Sequence, residues 1–348
     1  TGKTVVSIHA LTRYKKKALI IVDQKTLLEQ WLDRILSFTD LKEEDIGFYT
    51  GERKKDLDKP IVIATIQSTL STLKKNSSEA MKMFNEANFG VTIVDEAHTA
   101  LGPQKMTNTA SMFFSKRIWG LTATPDRGDA TTKQIFNWAS DNVMSFEKFN
   151  MMPIVKAYFF DSGMKTTKTH KFVNWGGHLN LARYNKQILY WDEFLHTICQ
   201  FIKTAYDKDR YPILLSQIIL QLEKVKEILV QEPYNIPEEE IGMFIGGSKE
   251  EEKDKRIVLA TFQKCSKGVD NKNWDMMIFG SSYTKEAIIT QSVGRILRLR
   301  EHKQQPILID MVDSTYWDLI GKYKKRFDTY NKLDFKIENY QGFGTSDD

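Results

Sequence analysis

The string IVIATIQS, residues 61–68, returns as IVLATFQK at residues 257–264, an offset of 196. Each copy is an apolar run of strand length, and Thr65 and Thr261 close the two runs. Two further pairs keep the same order. ALIIVDQ (18–24) resembles PILLSQI (212–218), with Gln24 and Gln217 193 residues apart. GFYTGERKK (47–55) resembles GMFIGGSKE (242–250), with Gly51 and Gly246 195 residues apart. Apolar strings match by chance, but three matches in one order, with offsets within three residues, predict a duplicated domain.

The composition fits that reading. The 348 residues leave room for two domains of roughly 100–200 residues each. With 41% hydrophobic and 27% charged residues, the chain is no disordered tail. A net charge of +5 permits a polyanionic partner without requiring one. Cys199 and Cys265 lie far apart with no CxxC, so a reducing, cytoplasmic setting without structural zinc is expected. The histidines have no HExxH spacing; His170 and His178 read as solvated loop residues. No apolar run approaches the roughly 18–20 residues that span a bilayer, and no signal peptide is visible. The chain opens at Thr1 inside what looks like a motif, so a fragment with a missing N-terminus is expected.

Strands and helices alternate in both halves. In the first, ALIIVD, IVIAT, VTIVD and RIWGLTAT read as short strands. KTLLEQWLDRILSF reads as a helix with Leu28, Trp31, Leu32, Ile35 and Leu36 on one stripe. In the second, PILLS, IVLAT, MMIFG and PILID read as strands and QLEKVKEILV as a helix. Continuous apolar strands alternating with helices predict an α/β chain, each half a mostly parallel sheet flanked by helices. The expected domains are residues 1–150 and 151–348, with a polar insertion near 162–182 read as a loop or flexible arm.

Catalytic chemistry is expected at FGVTIVDEAHTA (89–100), where the apolar strand Val91–Val94 runs into two acids, Asp95 and Glu96. Ligands of open parallel sheets sit beyond the carboxyl ends of the strands. TGKT (1–4) reads as the end of a phosphate-binding loop. Gly2 and the backbone N–H groups would face the phosphates, Lys3 would reach the β and γ phosphates, and the Thr4 hydroxyl would bind Mg²⁺. Asp95 would hold the same Mg²⁺, and Glu96 would polarise a water in line with the γ-phosphate. TGKT alone is a weak signal, and an Asp-Glu pair often just opens a helix. Some 90 residues apart on one chain, they point together to nucleotide hydrolysis.

These motifs resemble those of superfamily 2 helicases, whose fold is two tandem RecA-like domains. TGKT matches the end of motif I, VDEAH motif II, GLTATP (120–125) motif III, VLATFQKCSKGVD (258–270) motif V, and QSVGRILR (291–298) motif VI. Within the superfamily the chain looks most like UvsW-type phage branch-migration helicases and their XPB- and RecG-like relatives. The resemblance implies that Arg295 and Arg298 of motif VI carry positive charge to the triphosphate, worth roughly 10³–10⁵ in rate for arginines of this type. Three residues apart, they would share a helix face, with Gln291 one turn back positioning nucleotide or water. Gly268 and Asp270 would approach the ATP, while His98, Thr122 and Thr124 would relay the nucleotide state. The implied task is ATP-driven tracking along DNA and remodelling of branched DNA in replication, recombination or repair, in the 3′→5′ direction.

If both halves grip one strand alike, equivalent loop tips should meet successive phosphates. The candidates are Gln24 with Gln217, Thr65 with Thr261 and Gly51 with Gly246. The two threonines have an alternative reading, each satisfying a local backbone group. Basic clusters at Arg13/Lys15–Lys17, Arg53–Lys55 and Lys322/Lys324–Arg326 would add attraction, or would simply be solvated faces. Phe262 and Trp175 are candidates for stacking on bases, with a core position the alternative for Phe262. Three other functions stay open: an RNA helicase, the motor of a restriction complex, and a non-hydrolysing nucleic-acid clamp.

Overall fold

The computed structural model describes residues 2–51, 56–97, 115–122, 151–165, 172–174, 177–266, 269 and 271–340. The chain divides into two compact units, Thr1–Glu147 and Lys148–Asp348.

In the first unit, helix α1 (Lys3–Tyr14) leads into β1 (Ala18–Val22), then α2 (Lys25–Phe38), β2 (Ile46–Tyr49) and β3 (Ile61–Thr65). Helices α3 (Ile66–Lys75) and α4 (Ser77–Glu86) follow, then β4 (Val91–Val94) and β5 (Arg117–Gly120). All neighbouring strands are parallel, in the order β2-β3-β1-β4-β5. Successive side chains point to opposite faces of a strand, so this sheet has a core on each side. Leu19, Ile21, Val62 and Val94 pack with Leu73, Ala80 and Phe84 of α3 and α4. Ile20, Val22, Ile63 and Ile93 pack with Ile8, Leu28, Trp31 and Ile35 of α1 and α2. Leu36, expected on the buried stripe of α2, is exposed.

The second unit opens with β6 (Ile154–Phe160), α5 (Leu181–Ile188) and α6 (Asp192–Asp207). The repeat then begins with β7 (Pro212–Ser216), α7 (Ile219–Val230), β8 (Ile241–Phe244) and β9 (Ile257–Thr261). Next come α8 (Phe262–Ser266), β10 (Met276–Phe279), α9 (Glu286–Ile296), β11 (Ile307–Asp313), α10 (Trp317–Lys332) and β12 (Lys336–Tyr340). The sheet order, β8-β9-β7-β10-β11-β6-β12, contains the first unit's order with each strand replaced by its sequence equivalent. Both sheets are therefore parallel, helix-flanked and wound alike. The likeness extends to single residues. A Cβ on Gly47 would collide with the Asp56 carbonyl, and one on Gly242 with the Glu252 carbonyl. Both are the second residue of the edge strand of their sheet, where a neighbouring segment passes too close for any side chain.

The polar stretch after β6 is pinned in its described parts. Phe172 is buried in the core, Val173 bridges Leu179, and the Leu179 N–H donates to Asp318 (2.9 Å). The free arm expected there does not describe these residues, because one buried aromatic ring anchors them.

A buried ion pair ties β11 to α10. Arg326 donates to both carboxylate oxygens of Asp310 (2.8 and 2.9 Å), and the Tyr330 hydroxyl donates to the same carboxylate (2.8 Å). Arg326, expected on a solvated basic cluster, is therefore in the core; Asp310 satisfies its charge where water cannot. No helix among the described residues is long and apolar enough to cross a membrane.

Candidate active site

β4 ends between β1 and β5, so the residue after Val94 leaves the sheet at its carboxyl edge. The Asp95 N–H still donates to the Ile21 carbonyl (2.9 Å), which extends the pairing by one residue and fixes the carboxylate there. Glu96 turns into the left-handed region at φ 47°. That conformation costs an L-residue roughly 1–2 kcal/mol, so the surrounding bonds must impose it. They do: the Ala97 N–H donates to the Leu121 carbonyl and the Leu121 N–H to the Val94 carbonyl, each at 2.9 Å. The turn throws Glu96 back toward α1, where Lys3 Nζ lies 3.4 Å from Glu96 Oε1.

Asp95 is buried, and its contacts are polar. Trp31 Nε1–H donates to Oδ2 (2.8 Å), and the Glu96 N–H donates to Oδ1 (2.9 Å). Burial raises the Asp95 pKa above the ordinary carboxylate value, and the Glu96 carboxylate raises it further; Lys3 and the two hydrogen bonds pull it back. A buried acid whose charged form is disfavoured suits a divalent cation, which would offset both effects.

Gly2 caps α1 with φ 68°, a conformation open to glycine, and no side chain caps the helix. The first turn carries Lys3 and Thr4 and no acid. A bare helix N-terminus with a lysine in its first turn fits phosphate oxygens. Lys3, Thr4, Asp95 and Glu96 thus form a donor set suited to a magnesium-bound triphosphate, with Lys3, Asp95 and Glu96 in contact as described. Sequence reasoning missed Trp31, placing it only on an apolar stripe. The available signal was chemical: a buried indole N–H needs an acceptor.

The motif VI residues divide. Gln291 and Arg295 lie on α9, but α9 ends at Ile296, so Arg298 follows the helix and shares no helical face with Arg295. Ile296, the last residue of the helix, and Leu297 after it are both buried in the core. Arg295 donates to the carbonyls of Val269 and Ser266, each at 2.8 Å, so it ties the helix to the segment after α8. Thr122 follows β5 and is half-buried. β5 stops at Gly120, short of the strand expected through Thr124. His98, Thr124, Gly268, Asp270, Trp175, His170 and the Arg53–Lys55 cluster lie outside the described residues.

The loop-tip candidates lie at the carboxyl edges of the two sheets. Gly51 and Gly246 are exposed, each two residues past its strand, with open space where a Cβ would sit. Thr65 and Thr261 both precede a helix. Thr65 Oγ1 bonds the Ser68 hydroxyl (2.8 Å), and the Lys264 N–H donates to Thr261 Oγ1 (3.3 Å). Both hydroxyls bond at their own helix starts, as the alternative reading has it, and each keeps capacity for a further bond. The pairing of Gln24 with Gln217 slips by one: Val22 pairs Thr65 and Ser216 pairs Thr261, so Asp23 is the register equivalent of Gln217. Gln217 is held by Ser281 Oγ, which accepts from its N–H (2.9 Å), and by the Ser282 carbonyl, which accepts from Nε2 (2.7 Å). Phe262 is fully buried, stacked at 4.8 Å on Tyr283, and is core.

Comparison with known proteins fits this geometry. A family described as "Type III restriction enzyme, res subunit" matches residues 1–127. A putative ATP-dependent RNA helicase of Acanthamoeba polyphaga mimivirus is 28% identical over 98% of this chain and 64% of its own length. A DNA 3′-5′ helicase XPB of Kineococcus radiotolerans is 32% identical over 39% of this chain and 24% of its own length. The chain thus spans less than two thirds of these relatives. The solved structure of S. cerevisiae Dbp5 bound to RNA and ADP BeF3 shares the fold, with a TM-score of 0.63 at 12% identity over 98% of this chain and 83% of that one. With motifs I and II in contact at the edge of a RecA-like sheet, and relatives of this kind along its length, the chain is a relative of the superfamily 2 helicases.

Proposed function

We propose that this chain is an ATP-dependent motor that moves along nucleic acid, with DNA as its track. The observation that carries this reading is the contact of Lys3 with Glu96 beside the buried Asp95. In the proposed cycle Lys3 holds the β and γ phosphates and Gly2 leaves the N–H groups of α1 open to them. Thr4 and Asp95 hold Mg²⁺, which when bound neutralises charge on the phosphate oxygens. Glu96 leaves Lys3 for the attacking water, orients it and takes its proton. Arg295 and Arg298 supply positive charge to the transferring phosphoryl group, and Gln291 helps position nucleotide or water. Gly268 and Asp270 belong to the same nucleotide contacts, and His98, Thr122 and Thr124 to the relay. Residues 1–150 and 151–348 are the two working domains.

The loop tips Gln24, Gly51, Thr65, Gln217, Gly246 and Thr261 are proposed to follow the backbone of one strand without reading its bases. The finer form of the proposal is 3′→5′ movement, supported by the name of the DNA 3′-5′ helicase XPB relative, together with remodelling of branched DNA, which rests on the motif resemblance alone. RNA as the track is a second reading, favoured by the mimivirus relative, which matches along nearly the whole chain.

ATP turnover measured with no polynucleotide, single-stranded DNA, forked DNA and RNA decides between them. Stimulation is expected from DNA and most from the fork. Equal or greater stimulation by RNA transfers the reading to RNA, and magnesium-independent or absent turnover in every arm removes the motor.

A further inference from the structure

Across the second unit's sheet, in strand order β8-β9-β7-β10-β11, the carboxyl edge presents Gly246, Thr261, Gln217, the Ser281–Ser282 loop and then the start of α10. Strands lie about 4.8 Å apart, so this row runs roughly 19 Å. Its last member is Trp317, 87% exposed, more than any other large apolar residue described.

The exposure is imposed by the neighbours. Tyr316 donates its hydroxyl to the Met164 carbonyl (2.7 Å) and packs edge-on against Tyr184. Asp318 accepts from the Leu179 N–H (2.9 Å), and Leu319 is buried. The first turn of α10 is thus fixed on both sides of Trp317, and the indole is held outward.

The surface along its helix is mostly polar, although Ile320 is half-buried and Phe327 is 37% exposed there. One turn along the same face, Gly321 has open space where a Cβ would sit. The exposed Lys324 and Lys325 follow at seven and eight residues from Trp317, about 10–12 Å along the axis, and Asp328 ends the stripe. A protein-binding patch centred on a tryptophan would gather further apolar residues around it. Here a flat ring, a bare shelf and two ammonium groups stand in line, which suits a base followed by its phosphates.

We propose that Trp317 stacks on a base at the end of a single-strand track along the carboxyl edge of the second unit, with Lys324 and Lys325 taking the adjoining phosphates; this rests on the nucleic-acid reading above. The test is fluorescence anisotropy with a labelled oligothymidylate and an otherwise identical strand of abasic sites, using the full chain, Trp317→Ala, Trp317→Phe and Lys324→Gln.

Expected for Trp317→Ala is a loss of roughly 5- to 150-fold in affinity for the thymidylate strand and little change on the abasic strand. Trp317→Phe should restore most of the loss, and Lys324→Gln should lower the slope of log affinity against log salt by about one. The thermal midpoint should not move, since the indole touches solvent. A wild-type chain that binds neither strand overturns the underlying reading. A wild-type chain that binds, with Trp317→Ala equal to it on both strands, overturns this proposal alone; so does a change confined to self-association, which would make the face a protein contact.

Discussion

Asp95 and Gly280 occupy the same place in the two halves of this molecule. Each follows the apolar strand that pairs with the first strand of its repeat, β4 in one unit and β10 in the other. Each makes the same backbone bond: the Asp95 N–H donates to Ile21 and the Gly280 N–H to Leu215, both at 2.9 Å. In the first unit that position carries a carboxylate facing Trp31, with Glu96 and Lys3 beside it. In the second, the Gln221 amide fills the space, donating to the Gly280 carbonyl (2.9 Å) while its oxygen accepts from Ser216 (2.5 Å). The helices preceding each repeat differ too. α1 opens with Lys3 and Thr4 and no acid, while α6 opens with Asp192 and Glu193, which repel an anion. One scaffold thus repeats, and among the described residues the first copy carries at this place a donor set suited to a triphosphate, where the second carries Gln221 and Ser216 bonded to each other and to the Gly280 turn.

The largest effect should come from the residue with no counterpart. Glu96→Gln keeps shape but removes the proton acceptor, so turnover should fall by about 10²–10⁴ while nucleotide binding stays within a few-fold. Steady-state ATPase beside nucleotide titration checks both. Unchanged turnover would remove Glu96 from the chemistry and, with it, half of the contrast between the units.

A smaller effect, on stability, is expected at Gly280. A Cβ there would stand 2.9 Å from Leu214 Cδ1 and 3.4 Å from the Gln221 amide. Gly280→Asp should therefore cost about 1–3 kcal/mol, read as a lowered midpoint in urea. Combined with Glu96→Gln it should restore no turnover. Restored turnover would mean that an acid at the strand end is sufficient by itself, with Lys3 and the α1 terminus dispensable.

The repeat was legible because it is written in apolar strings, and burial of both sheet faces needs little more than those strings. Asp95 and Glu96 were legible because the pair, ambiguous by itself, follows an apolar strand on the same chain as TGKT. What escaped depends on partners distant in sequence. Arg326 read as one of four basic residues in five positions; only Asp310, on another element, makes it core. Arg298 read as a helical neighbour of Arg295, but the helix ends at Ile296, two residues before it. Trp317 gave no periodic signal, because its exposure is set by how Tyr316, Asp318 and Leu319 are held. Gln24 and Gln217 looked equivalent from the strings, and the strand register moved the match by one residue. Thr65 and Thr261 each have a local bond at the start of a helix as well, so their repetition by itself does not mark a ligand contact.

The finest test of the contrast is electrostatic, since Gly280 cannot titrate and Asp95 can. Burial, then the Glu96 carboxylate, raises the Asp95 pKa in the folded protein above 3.8. The folded chain therefore binds this proton more tightly than the unfolded one. Stability linked to it is fully present below the unfolded pKa and is lost as pH rises through the folded value. Asp95→Asn removes the titration. Without nucleotide, the wild type's stability relative to Asp95→Asn should rise as pH is lowered from neutral toward 3.8, by urea unfolding at matched ionic strength. Magnesium with a non-hydrolysable triphosphate should reverse the order at neutral pH, stabilising the wild type more than the variant, because the cation favours the ionised acid. A difference between the two that stays flat with pH would mean that water reaches Asp95 freely, and that its site is no drier than the glycine turn it replaces.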